Sequence, residues 1–219
     1  MALGQRTKTG SGSTPARILA HAREAFNERG VTKVGIREIA RELELSPGNV
    51  SYHFPTKDDL VLALVREVHA QNDAQVAAIE GPLDFAGLEA ILRGIMRRDL
   101  ENRWFFRDYV GLLTAIPALL PVHERMHRGR EARVDVVLGR LVEAGLLERR
   151  RTEAALPALR QQVLTQVLFW LPSALLADPE GDPAQRLEVH ARGALSLAWP
   201  YCTPSGARQL EALLFGRGR

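Results

Sequence analysis

The chain has 219 residues, 46% apolar and 25% charged, a length that suits one large or two small domains with a sizeable buried core. Formal net charge is only +3, but residues 1–57 carry nine lysines and arginines against five acids, so an anionic partner is expected at that end. One cysteine, Cys202, allows no internal disulfide and fits a reducing cytoplasm. The opening MALGQRTKTGSGST lacks a signal peptide's apolar stretch, and the longest apolar runs contain prolines and fall short of the roughly 20 residues of a membrane span.

Residues 1–13 are short, basic and Gly/Ser-rich, and read as a flexible tail. After them the pattern is helical throughout, with no strand alternation and no fixed repeat. Four times a capping residue precedes proline: Thr14-Pro15, Ser46-Pro47, Asp182-Pro183 and Thr203-Pro204. A cap oxygen accepts a free backbone N–H, and proline lacks the N–H that would go unused at a first helical position. The first helix carries Ile18, Ala22, Ala25 and Phe26 on one face and stops at Gly30. Ile36, Ile39, Ala40 and Leu43 mark a two-turn helix. Val50 and Phe54 give a second short helix its inner side. Thr56 with Asp59 reads as a capping box for a longer helix through Val61, Leu64, Val65 and Val68. Asp84 is placed to cap a helix bearing Leu88, Ile91, Leu92 and Ile95, and NRWFFRDYVGLLTAI continues the helical pattern to Pro117. A long helix spans about 119–144 with Gly145 as its stop. Thr152 is placed to cap the next, ending near Ala177, and helices over 183–199 and 204–215 close the chain. That makes about ten helices and an all-α fold.

The stretch LSPGNVSYHFPTKDDL, residues 45–60, begins a helix only to end it about two turns later. Two short helices joined by a tight turn form a helix-turn-helix, and its second helix need only be long enough to lay polar side chains in a DNA major groove. Val50 and Phe54 would hold that helix to its scaffold, while Gly48 permits close backbone approach and Asn49 can bond a base edge or a phosphate. Tyr52 and His53 can reach phosphates, and Lys57 adds a charge-assisted contact. The bland alternative makes Tyr52 and His53 ordinary surface residues.

At Ile18, Ala22, Phe26, Gly30 and IREIARELELSPGNVSYHFPTKDDL the sequence resembles the TetR family of bacterial transcription regulators. The resemblance implies a DNA-binding domain over residues 14–60 and a helical ligand-sensing and dimerisation domain over 61–219. It gives Arg37 a base-reading position, with a salt bridge to Glu38 or Glu42 as the alternative. Pro47, Gly48 and Asn49 match the groove-entering start of the recognition helix, and Tyr52, His53 and Lys57 its phosphate-clamping end. Thr14 and Arg17 match the place where the first helix points its N-terminus at the DNA backbone. Two positions depart from the family pattern. Gly35 stands where a capping threonine is usual, and Ser51 replaces a frequent tyrosine, so base specificity does not transfer from relatives.

The resemblance also implies a homodimer through helices near 153–177 and 183–199, a palindromic double-stranded operator, and an unidentified small-molecule effector that releases a repressor from DNA. An apolar or aromatic effector would suit Phe105, Phe106, Tyr109, Met126, Phe169 and Trp170, although aromatics at helical spacing are also ordinary core. No cofactor and no enzymatic centre is called for. The rival is His123-Glu124-Arg125-Met126-His127, which fits the H-E-x-x-H pattern of zinc proteases. A third ligand from Glu143 or Glu148 would lie more than about 20 Å away along the same helix. A metal-sensing use of His123 and His127 at i, i+4 is the milder form of that alternative.

Overall fold

The computed structural model describes residues 13–77 and 81–216; the tail expected over residues 1–13 lies, except for Ser13, outside them. The described residues form eleven α-helices and three short 3₁₀ turns, with no strand beyond one isolated bridge. The helices are α1 (Thr14–Arg29), α2 (Ile36–Glu42), α3 (Pro47–His53), α4 (Lys57–Ala77), α5 (Phe85–Glu101), α6 (Arg103–Arg107), α7 (Tyr109–Ala115), α8 (Leu120–Glu143), α9 (Arg149–Ala177), α10 (Pro183–Ser196) and α11 (Pro204–Phe215). The chain divides into two compact units, with the boundary between Val65 and Arg66. None of the described helices is long and apolar enough to cross a membrane.

In the first unit the helix signals act as the sequence suggests, with one shift. Ser46 accepts from the Asn49 N–H at 3.1 Å, and Thr56 and Asp59 bond each other's backbone N–H reciprocally at 3.1 and 3.0 Å. Gly30, at φ 86°, ends α1 in a conformation that costs a side-chain-bearing residue energy. Thr14, however, does not cap α1. It is already helical, Ser13 holds the cap position, and Ser13 makes no side-chain cap bond. The core of this unit is Ile18, Ala22, Phe26, Ile39, Ala40 and Val50, all 1% exposed or less. The turn between α2 and α3 is carried by Glu44 at φ 57°, the one non-glycine residue with positive φ among the described residues.

In the second unit α5 lies against α10, and α8 and α6 against α9. Asp84, Asp182 and Thr203 cap α5, α10 and α11 through the N–H groups of Gly87, Gln185 and Gly206. Three expectations need correction. The helix expected to run on to Pro117 breaks at Asn102 and Asp108, at φ/ψ of −119/35° and −125/39°. Trp104, Phe105 and Phe106 are consecutive and would spread over roughly 200° of a straight helix; the breaks let all three be buried, along with Tyr109. Thr152 is no cap either. It lies inside α9, buried, its hydroxyl donating to the Glu148 carbonyl at 2.8 Å. Finally, α10 ends at Ser196, and Trp199–Tyr201 form a separate 3₁₀ turn. The bridge between Leu147 and Cys202 then ties the start of α11 to the loop between α8 and α9.

Candidate functional site

In the first unit α3 presents a polar surface. Val50 is fully buried and Phe54 nearly so, which fixes the helix's rotation. That rotation turns Pro47, Gly48, Asn49 and Tyr52 outward, with Tyr52 84% exposed. Ser51 and His53 are half-buried at the edge, and the His53 ring meets Tyr52 edge-on at 5.1 Å. A Cβ added at Gly48 would meet only Ser46 Oγ, at 3.9 Å, so nothing inside the protein requires glycine there. A helical glycine costs about 0.5–1 kcal/mol relative to alanine.

Arg37 is exposed on α2, and the acids that could have neutralised it are engaged elsewhere. Glu42 accepts both terminal nitrogens of Arg29, at 2.8 and 3.0 Å, and pairs with His21 at 2.7 Å. Glu38 lies 3.6 Å from Arg29. Those hydrogen bonds from Arg29 and His21 hold the Glu42 carboxyl down at about 2. Arg37 makes no ion pair among the described residues, so its charge faces outward. Lys57 is half-buried; its Nζ donates to the Thr32 carbonyl at 3.5 Å, and burial lowers its pKa. Arg17 is exposed and Thr14 half-buried, both in the first turn of α1, where no side chain caps the helix. The Arg29–Glu42–His21 clamp was not expected from sequence. Its residues are 13 and 21 positions apart, too far for a helical spacing rule to show.

The second unit contains a partly open cavity of about 130 Å³. Leu88, Ile91, Leu92 and Ile95 of α5 face Val134, Val137 and Leu141 of α8 and Leu159, Val163 and Val167 of α9 across it. Its polar lining residues, among the described residues, are Asn72, Asp99, Arg130 and Arg133. Of the six residues suggested by aromatic spacing, Phe106 alone lines this cavity. Phe105 and Trp170 are buried, Tyr109 donates to or accepts from His123 Nδ1 at 2.6 Å, Phe169 is 39% exposed, and Met126 is half-buried. The aromatics pack on one another instead, Phe105 against Phe106 and Tyr109 at 5.2 and 4.9 Å.

The cavity's polar end was missed from sequence, though a signal existed. Asp99 continues the stripe Leu88, Leu92, Ile95 at i, i+4, i+7 and i+11, which places a carboxyl on a buried face. Asp99 is 1% exposed and accepts from Trp170 Nε1 at 2.8 Å, while its Oδ1 has no hydrogen-bond partner. Burial pushes its pKa up to about 7, against the pull of Trp170, Arg130 and Arg98. Arg130 donates through Nη2 to His69 Nδ1 at 3.2 Å, and its Nη1 is buried without a partner. Burial, with Arg130 beside it, lowers His69 to about 2, so the ring is neutral and can accept. Arg133 is paired with Asp73 at 2.8 Å, and Arg98 Nε donates to Asn72 at 2.7 Å.

His123 and His127 lie on α8, their rings 5.8 Å apart. With His123 Nδ1 bound to Tyr109, only its Nε2 is open to a further ligand. α8 runs unbroken to Glu143, so that carboxylate is a helix length away. Among the described residues no group of three or more His, Cys, Asp or Glu side chains is arranged to hold a metal ion.

Residues 18–64 match the family model described as bacterial regulatory proteins, tetR family, and residues 68–210 the model described as bacterial transcriptional repressor. The probable HTH-type transcriptional regulator ArpR of Pseudomonas putida is 34% identical over 85 residues, 38% of this chain and 40% of that protein. An HTH-type transcriptional repressor of Mycobacterium tuberculosis is 34% identical over 123 residues, 51% of this chain and 63% of that protein. The chain thus spans less than two thirds of either relative's length. Among solved structures, a TetR-family transcriptional regulator of Marinobacter aquaeolei has the same fold, with a TM-score of 0.83 at 24% identity, covering 93% of this chain and 98% of that one. The SmeT–triclosan complex follows the fold at a TM-score of 0.65 and 19% identity, covering 89% and 94%.

Proposed function

The chain belongs to the TetR family of bacterial regulatory proteins, and on that premise we propose that it is a sequence-specific DNA-binding transcription regulator, a homodimeric repressor released by a small-molecule effector. The observation that carries the reading is α3: a two-turn helix with Val50 buried and Gly48, Asn49 and Tyr52 exposed, whose glycine answers to no need inside the protein. A major groove needs that backbone approach. In this reading residues 14–60 bind DNA and residues 61–219 sense and dimerise. Arg37 and Asn49 read base edges. Thr14, Arg17, Tyr52, His53 and Lys57 hold phosphates, with Pro47 and Gly48 at the groove-entering end. Lys57 would exchange its long contact with Thr32 for a phosphate oxygen.

Dimerisation is supported by apolar side chains left uncovered on the two helices expected to pair. Leu176 on α9 is 85% exposed and Val189 on α10 is 61% exposed, with Phe169 nearby in sequence on α9. A two-fold dimer presents two copies of α3, which calls for a palindromic operator. The apolar cavity supports an effector of the same character, as does the presence of triclosan in SmeT, a protein of the same fold. An effector that prefers the DNA-incompetent state weakens operator binding by its differential affinity for the two states. No described feature favours the metal-sensing or hydrolytic alternative at His123 and His127.

Titration of the protein into labelled duplex DNA from the region flanking its own gene, at several salt concentrations and with unrelated competitor, tests the reading. Tight binding that survives competitor and strengthens at low salt is expected. Lys57→Ala should flatten the salt slope by about one unit. No binding even at low salt would refute DNA recognition by this motif.

A further inference from the structure

We propose that the cavity of the second unit takes a small apolar monocarboxylate, with its ring or alkyl body among α5, α8 and α9 and its carboxylate between Arg130 and Asp99. This rests on the reading of the cavity as the effector site and deepens it by naming the ligand's head group.

Two observations carry the proposal. The cavity is apolar apart from one end, so a bound molecule has an apolar body and a single polar head. At that end two buried atoms have no hydrogen-bond partner among the described residues: Asp99 Oδ1 and Arg130 Nη1. Buried polar groups are nearly always satisfied, so two orphaned atoms on residues that line a cavity call for a complementary group beside them. Arg130 Nη1 can only donate. Trp170 fixes Asp99 Oδ2 as an acceptor, which leaves Oδ1 as the oxygen that carries the proton when Asp99 is neutral. Burial favours that neutral form close to neutrality. The two orphans then act as two donors, and a carboxylate offers two acceptor oxygens.

Charge points the same way. Of the two arginines that line the cavity, Arg130 makes no ion pair among the described residues, and Arg133 is already matched by Asp73. His69, which faces Arg130 from α4, is neutral. The end of the cavity therefore carries an excess of guanidinium, which favours an anion and repels an ammonium group. Size limits the body. A cavity of about 130 Å³ is close to the ~150 Å³ apolar cavity known to hold benzene, so one ring or a short chain fits.

The test uses the full chain and three probes of matched shape: 4-methylbenzoate, 4-methylbenzyl alcohol and 4-methylbenzylamine. Affinity is read by calorimetry, with tryptophan emission as a second signal. The carboxylate is expected to bind at least tenfold more tightly than the alcohol or the amine. In Arg130→Met that advantage should fall below threefold. Arg130→Lys, which keeps the charge but loses the fork of donors, should reduce it partway and serves where the methionine variant does not fold. If the alcohol or amine binds as well as the carboxylate, or the advantage survives in both variants, the head-group assignment is overturned and the apolar cavity stands. If none of the three binds to the folded protein, the effector-site reading falls with it.

Discussion

Asp99→Asn is the substitution whose consequence the structure predicts most sharply. The carboxyl is buried, and its pKa rises from the ordinary 3.8 to about 7, chiefly through burial. Between those values the folded state holds a proton that the unfolded state releases, so stability falls as pH rises across the window, and the loss is complete above pH 7. A gap of about 3 units corresponds to about 4 kcal/mol. Asparagine keeps an oxygen for the Trp170 N–H and carries no charge at any pH. The variant should match the wild type near pH 4 and exceed its stability by up to about 4 kcal/mol near pH 8, with relaxation of the site reducing the figure. Urea unfolding followed by tryptophan emission measures this cleanly, because Trp104, Trp170 and Trp199 all lie in the second unit. A stability difference that stays the same from acid to alkaline pH would show that Asp99 is not the buried titrating group and would remove one of the two donors assigned to the cavity.

Gly48→Ala should leave the fold intact or stabilise it by about 0.5 kcal/mol, since its Cβ has room, yet weaken DNA binding several-fold; melting curves alongside DNA titrations separate the two effects. Arg37→Ala should cost about 1–3 kcal/mol of operator affinity and relax preference at one base pair, checked by binding to a set of single-base operator variants. Gly206→Ala should destabilise the second unit by at least ~2 kcal/mol, because the new Cβ would collide with the Leu146 carbonyl, which is backbone; urea unfolding reads it. Glu42→Gln should weaken the first unit at neutral pH and lessen its loss of stability in acid. The carboxyl's lowered pKa supports stability above about 4.5, and that support is lost as pH falls toward about 2. Circular dichroism on acid titration follows it.

The sequence by itself determined the helical class, the positions of most helix ends, and which side of α3 is buried. Those features depend on residues a few positions apart: a cap oxygen and the N–H three residues on, a glycine at a stop, apolar residues four apart. Ser46, Asp84, Asp182 and Thr203 therefore cap as read, and Val50 and Phe54 face inward. Local reading failed where a neighbour outweighed the local signal. Ser13 took the cap position from Thr14, and α9 began three residues before Thr152. The breaks at Asn102 and Asp108 follow from the need to bury Trp104, Phe105, Phe106 and Tyr109 together. Tertiary structure alone decided the Arg29–Glu42–His21 clamp, which leaves Arg37 without an acid partner among the described residues. It alone decided the cavity too: Asp99 and Trp170 are 71 residues apart and Arg130 and His69 are 61 apart. Packing brings those groups together, and no spacing rule along one helix reaches across such distances.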